Sequence, residues 1–230
     1  MAVAAILTAA GSGSRLGHAL PKALVPLAGT PLVVHAARRL AASGCVDRIV
    51  VTVPSGLEQE MSDALADPLP GDVPVAFVTG GSTRQASVAA GLASLGPDVD
   101  VVLVHDAARA LAPAGLVAAV VAAVRSGHGA VVPVLPVVDS VVEVRGDRAV
   151  PVDRSCLRIV QTPQGFARAL LDRAHATARA RGTDEGSAAT DDASLCAALG
   201  ADVTVVPGDP AAMKITVPQD LVVAELLVPA

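Results

Sequence analysis

The opening stretch constrains this chain more than any other. Val3-Ala4-Ala5-Ile6-Leu7-Thr8 is a short apolar run ended by glycines, the pattern of a strand buried on both faces. Ala9-Ala10-Gly11-Ser12-Gly13-Ser14-Arg15-Leu16-Gly17 follows as a glycine-rich loop with one cation, and Pro21-Lys22 adds a second cation seven residues after Arg15. Glycines let neighbouring backbone N–H groups turn inward together, and such a nest binds anions. Arg15 can grip phosphate oxygens in a bidentate fork, whereas Lys22 is a compact point charge. A strand, a glycine loop and two cations suit a nucleoside triphosphate. The same glycines would also serve a plain strand-to-helix turn, and the loop alone does not choose between the two.

Two familiar phosphate loops are disfavoured. A dinucleotide fingerprint needs G-x-G-x-x-G and an acid about twenty residues further on. Here Gly11-x-Gly13-x-x-x-Gly17 is one residue too long, and Thr30 to Val34 contains no acid. A P-loop needs Lys followed by Ser or Thr, and Lys22 is followed by Ala23.

Composition removes other classes. Phe77 and Phe166 are the only aromatic residues, too few for the stacking platforms of single-strand binders. A net charge of −5 opposes binding to duplex nucleic acid. Cys45, Cys156 and Cys196 are odd in number and widely spaced, which predicts no metal motif and a reducing, cytoplasmic setting. No apolar run approaches the roughly 18 residues of a membrane helix, and the N-terminus lacks the basic region of a signal peptide.

Along the chain, apolar runs alternate with helical patterns. Thr30-Pro31 reads as an N-cap followed by a first-turn proline, opening a helix that Gly44 stops. Strands are expected at 48–53, 75–79, 101–104, 130–135 and 203–206, helices at 57–65 and 114–126. Gly80-Gly81-Ser82-Thr83-Arg84-Gln85-Ala86-Ser87 is a second glycine-to-helix junction, with Ser82 as the simplest N-cap. His105-Asp106-Ala107-Ala108-Arg109 follows a strand, where an Asp faces the crevice in which α/β sheets bind ligands; a local Asp106–Arg109 pair is the alternative. Residues 140–144 and 149–152 read as a β-hairpin. An isolated hairpin is marginal, so this arm, about 137–160, is expected to pack on another subunit. Phe166 to Arg181 reads as an amphipathic helix, Thr190 as the N-cap of another, Lys214-Ile215-Thr216 as a strand end, and Pro218 as the start of a C-terminal helix. The sum is an α/β fold: one Rossmann-like domain over residues 1–230, a mostly parallel sheet with helices on both faces, and a protruding hairpin arm.

These blocks resemble a known family. Ala9-Ala10-Gly11-x-Gly13-x-Arg15 with Pro21-Lys22 resembles the nucleotidyltransferases that activate sugars and polyols. Gly80-Gly81-x-x-Arg84-x-x-Ser87-Val88, His105 to Arg109, Asp139-Ser140, Val152-Asp153-Arg154, Thr162-Pro163-Gln164, Thr190-Asp191-x-Ala193-Ser194 and Lys214-Ile215-Thr216 narrow this to the 2-C-methyl-D-erythritol 4-phosphate cytidylyltransferases of the non-mevalonate isoprenoid pathway. The resemblance implies that Ala9, Ala10, Gly11 and Gly13, with Arg15 and Lys22 as the catalytic cations, hold the CTP triphosphate. It implies that Gly81, Ser82 and Ser87 read cytosine and support its ribose. Asp106, Ala107 and Arg109 would lie between ribose and polyol phosphate. Thr162, Thr190 and Lys214 would hold the polyol phosphate. Ser140 and Arg154 would come from the arm of a partner subunit in a homodimer, and Mg²⁺ would ride mainly on the CTP phosphates. Ser140 stands where the family usually has Thr, keeping the hydroxyl; Ala212 and Met213 also depart from the family pattern.

The implied reaction is attack of a phosphate oxygen on the α-phosphorus of CTP. A phosphate monoester, with its second pKa near 6, is already largely dianionic at pH 7 and needs no general base. The barrier is anion against anion, and fixed cations lower it. The nearest alternatives are a cytidylyltransferase for another polyol phosphate, such as ribitol 5-phosphate, and a non-catalytic nucleotide-binding regulator.

Overall fold

The computed structural model describes residues 1–11, 16, 20–179 and 188–228. The expected strand at the N-terminus is β1, Ala2–Thr8. It pairs in parallel with β4 (Arg48–Val53) on one side and β6 (Val99–Asp106) on the other. β5 (Val75–Thr79) extends the sheet beyond β4, again in parallel. Beyond β6 lie β11 (Gln164–Ala167), β7 (Ala130–Pro136) and, parallel to β7, β12 (Val203–Pro207). β10 (Arg158–Val160) runs antiparallel to the far end of β7 and completes an eight-stranded sheet. Only β10 and β11 run against the rest.

Strand side chains alternate between faces, and the core follows that alternation. Val3, Ala5 and Leu7 of β1 pack in one apolar cluster with α1 (Leu32–Ala41) and α4 (Ala114–Arg125). Ala4 and Ile6 point the other way, into a cluster with α3 (Arg84–Ser94), α5 (Arg168–Ala178) and α6 (Asp192–Ala198). Both faces of β1 are therefore dry, which is why its sequence is a continuous apolar run. α2 (Glu58–Ala64) and α7 (Pro218–Glu225) complete the helices, and a short ribbon pairs β2 (Pro26–Leu27) with β3 (Thr30–Pro31).

β8 (Val141–Arg145) and β9 (Arg148–Val152) pair only with each other, as the expected hairpin. The register puts Val142, Val144, Ala149 and Pro151 on one face. Val144 is 71% exposed, so among the described residues none covers that end of the face.

Several local expectations are corrected. The segment 166–181 is not all helix: β11 takes residues up to Ala167 before α5 begins. Tertiary pairing overrides helical periodicity there. Phe166 is fully buried, and a Cβ on Gly165 would sit 2.5 Å from Val120 Cγ1, so only glycine lets the strand lie under α4. Lys214-Ile215-Thr216 joins no strand; Ile215 N–H donates to the Ala108 carbonyl at 2.8 Å, and Asp220 accepts from Thr216 and Val217. Thr30 lies in the β2–β3 ribbon, and Pro31 occupies the N-cap position of α1 without a side-chain bond. Thr83 rather than Ser82 caps α3, accepting from Ala86 N–H at 3.0 Å, and Asp191 rather than Thr190 caps α6, accepting from Ser194 N–H at 3.0 Å.

Candidate active site

A cleft of about 420 Å³ opens over the C-terminal ends of β1 and β6. Its floor is the turn after β1, Ala9 to Gly11; Lys22 and Lys214 enter its lining, and Asp106 is the one carboxylate among the described lining residues. Gly13 and Arg15 lie outside the described residues.

One wall is the junction before α3. A Cβ on Gly80 would sit 2.6 Å from Ala10 Cβ, and one on Gly81 would sit 2.4 Å from Ala86 Cβ. Glycine is required here by close approach: it lets the two glycine loops touch and presents backbone to the cleft. Ser87 Oγ accepts from Gly81 N–H at 3.1 Å and donates to the Thr83 carbonyl at 2.9 Å, so this serine braces the wall.

The opposite wall centres on Asp106. Its Oδ1 accepts from Arg84 Nε at 3.0 Å, and its Oδ2 pairs with Lys214 Nζ at 2.8 Å. Thr8 Oγ1 donates to Oδ1 at 3.3 Å. Burial pushes this carboxyl upward, but Arg84 and Lys214 outweigh it and hold Asp106 well below the ordinary carboxylate range. The local pair with Arg109 does not form. Arg109 Nη1 instead donates to the Ala212 carbonyl at 2.8 Å and Nη2 to the Val160 carbonyl at 3.2 Å. Burial holds the Arg109 guanidinium below its ordinary value.

Thr162 is buried beneath this wall. Its Oγ1 accepts from Asp106 N–H at 3.0 Å and contacts His105 Nδ1 at 2.9 Å. Burial lowers the fully buried His105 to about 4, so its imidazole is neutral at physiological pH. The wall thus joins β6, α3 and the segment before α7 through one carboxylate.

A family model described as IspD, 2-C-methyl-D-erythritol 4-phosphate cytidylyltransferase, matches residues 3–230. The chain belongs to this family. A 2-C-methyl-D-erythritol 4-phosphate cytidylyltransferase of Rhodococcus jostii is 50% identical over 228 residues, covering 98% of this chain and 95% of that protein. One from Streptomyces avermitilis is 49% identical, covering 96% and 90%. The crystal structure of the Thermus thermophilus enzyme of the same name superposes with a TM-score of 0.77 at 42% identity, over 99% of this chain and 98% of that one. The chain is accordingly a nucleotidyltransferase, with the mainly parallel α/β fold of its family.

Among the residues that the family resemblance singles out, the fold brings Ala9, Ala10, Gly11, Lys22, Gly81, Ser82, Ser87, Asp106, Ala107 and Lys214 to one cleft. Thr162 and Arg109 lie behind it, joined to its wall as above. Thr190 is exposed and does not line it, and Ser140 and Arg154 are exposed on the arm, outside it. Arg154 Nη1 donates to the Val138 carbonyl. Sequence reasoning quoted Arg84 within its motif but assigned it no role, and it missed Thr8, His175 and Asp192. Arg84 is the residue that a charge count would have found: a lone cation opening an otherwise neutral helix, opposite an isolated Asp.

The donor chemistry limits what metal the site can take. No group of three or more His, Cys, Asp or Glu is assembled for an ion among the described residues. The one carboxylate among the described lining residues, Asp106, fits a Mg²⁺ that arrives on phosphates and keeps several waters.

Proposed function

We propose that this chain transfers CMP from CTP to 2-C-methyl-D-erythritol 4-phosphate, releasing pyrophosphate and forming 4-diphosphocytidyl-2-C-methyl-D-erythritol in isoprenoid precursor biosynthesis. The observation that carries the reading is the full-length family match falling on a cleft where a glycine-built floor meets Lys22, Lys214 and an ionised Asp106.

The residues divide the work. The Ala9 to Gly11 backbone, with Gly13 and Arg15, cradles the triphosphate. Lys22 neutralises charge growing on the α-phosphoryl group and on the leaving pyrophosphate. The Gly81 and Ser82 backbone, stiffened by Ser87, reads the cytosine edge, and Ala107 and Asp106 face the ribose. Lys214, set by Asp106, holds the phosphate of the polyol in line with the α-phosphorus. Arg109 supports that lysine by gripping the Ala212 carbonyl. The polyol phosphate brings its own nucleophilic oxygen, so no general base is needed. Asp106 would hold a Mg²⁺ arriving with CTP, and the ion would supply further neutralisation of the triphosphate charge.

Ser140 and Arg154 complete the site from outside. The uncovered apolar face of the hairpin supports a homodimer in which each arm reaches toward its partner's cleft and gives Arg154 to the polyol phosphate. Three cysteines without disulfides fit work in the cytoplasm.

Pyrophosphate release, measured with each nucleoside triphosphate and a panel of polyol phosphates, tests the reading. Release is expected only with CTP and 2-C-methyl-D-erythritol 4-phosphate. Equal release with ribitol 5-phosphate would overturn the acceptor, and none with any pair would overturn the activity.

A further inference from the structure

From the cleft into the core runs a line of hydrogen-bonded polar side chains, and the reaction itself does not use the inner three, Arg84, Asp192 and His175. Arg84 opens α3, and its guanidinium spans two carboxylates from different elements. Nε donates to Asp106 Oδ1 at 3.0 Å, and Nη1 donates to Asp192 Oδ2 at 2.6 Å. Asp192 is 1% exposed, and its Oδ1 accepts from His175 Nε2 of α5 at 2.8 Å. The line therefore reads His175, Asp192, Arg84, Asp106, Lys214, running from the α5–α6 face of the core into the cleft.

We propose that Arg84, Asp192 and His175 are positioning residues, a hydrogen-bonded brace that fixes the Asp106 carboxylate and, through it, the Lys214 ammonium. The proposal rests on the cytidylyl transfer reading above, for which Lys214 must hold the incoming phosphate.

The geometry argues for positioning over simple cohesion. Asp106 ends β6, and nothing in its own strand fixes the rotation of its carboxyl group. A planar guanidinium with two N–H groups committed to two carboxylates has one orientation, which a lysine's point charge would not impose. With Oδ1 held by Arg84, Oδ2 is left facing Lys214. The brace also sets the charge balance. Two cations and one carboxylate at the cleft end leave net positive charge toward a phosphate, whereas Asp192 satisfies the buried half of the guanidinium. Asp192 lies two residues from Thr190, so the same contact ties the segment leading into α6 to the site wall. Gln164 fastens that segment a second time, donating to Asp191 Oδ2 at 2.9 Å and accepting from Ala193 N–H at 3.2 Å.

Charges around each carboxylate come from several elements. Asp106 faces Arg84 from α3, Lys214 from the segment before α7 and the Thr8 hydroxyl from β1, with His105 and Arg109 nearby in its own segment. Asp192 faces Arg84, His175 and the buried Cys196 thiol, which burial and then Asp192 push up to about 12. Burial raises both carboxyls, and Arg84, the largest opposing cause for each, brings them below the ordinary range.

The decisive variant pair is Arg84→Met and Arg84→Met with Asp192→Asn. The single change strands a buried carboxylate and destabilises the fold. The second change removes that stranded charge and recovers the thermal midpoint. If the brace positions Asp106, the double variant stays about 10- to 100-fold low in kcat, the range for loss of a partner that orients a functional ligand. Its KM for the polyol phosphate, which Lys214 holds, rises more than its KM for CTP. Arg84→Lys, which keeps the charge but not the fork, also stays low. Recovery of parental kcat in the double variant would overturn the brace and leave a purely structural role. A crystal structure of the double variant gives a readout independent of turnover: the Asp106 carboxyl is expected to turn away from Lys214, and an unmoved carboxyl would overturn the proposal. A parent chain that released no pyrophosphate from CTP would overturn the activity reading instead, and the crystal structure of the double variant would still decide the brace.

Discussion

The Asp106 wall and the hairpin arm solve opposite problems. Around Asp106, the carboxylate finds its partners within one chain: it takes Arg84, Lys214 and Thr8, and its backbone N–H takes Thr162. On the arm, Val142 and Val144 stand exposed and Ser140 and Arg154 point at nothing in the cleft of their own chain. One region is complete as folded. The other is the one we propose to pack against a partner subunit. The difference separates the nucleotide half of the site, which a single chain builds, from the part of the polyol half that we assign to a neighbour.

Changing Asp106 should have the largest effect. Asp106→Asn removes the one anion between Arg84 and Lys214 and leaves buried positive charge, so unfolding should become easier by about 3–5 kcal/mol, read by urea titration. The same variant tests the acid behaviour. A carboxyl held low in the folded state binds fewer protons than in the unfolded state. Its stabilisation is full above the unfolded value of about 3.9 and declines as pH falls below it. The parent should lose stability steeply in that acid range and Asp106→Asn less so; parallel curves would refute a charged Asp106.

Lys22→Ala comes next, with a fall in kcat on the order of 10²-fold or more and little change in the unfolding midpoint. Intact turnover would disprove the triphosphate cradle. Arg154→Ala, on the other side of the comparison, should raise the KM for the polyol phosphate by about tenfold or more while sparing that for CTP. Mixing it with Lys22→Ala sharpens the contrast: if the arm crosses between subunits, mixed dimers contain one intact site and regain activity that neither variant has alone. The smallest effect on the fold should come from Val144→Asp, within about 0.5 kcal/mol, although it should shift the sedimentation mass from two chains toward one. A parent chain that sediments as a monomer would remove the arm's assigned role.

Much of this was legible in the residues. β1 and its glycine turn followed from a continuous apolar run ended by glycines, and the hairpin from two short strands around Arg145-Gly146-Asp147. The helix expected from Phe166 begins at Arg168 instead, because a four-residue strand slots between β6 and β7, a pairing set by residues more than thirty positions away. The caps of α3 and α6 each fell one residue from the expected one, since neighbouring hydroxyl and carboxyl groups compete for the same N–H and only the entry angle of the chain selects the winner.

The sequence by itself determined the class of fold, the glycine floor, the cations and the family, because apolar periodicity, glycine spacing and ordered motifs are local properties of a chain. Only the tertiary structure decided what Asp106 does. Its partners lie 22 and 108 residues away from it, and the choice between Arg109 beside it and Arg84 with Lys214 across the cleft depends on how β6, α3 and the segment before α7 meet. Charge pairing in a buried wall is settled by which groups leave water together, and no spacing along the chain encodes that.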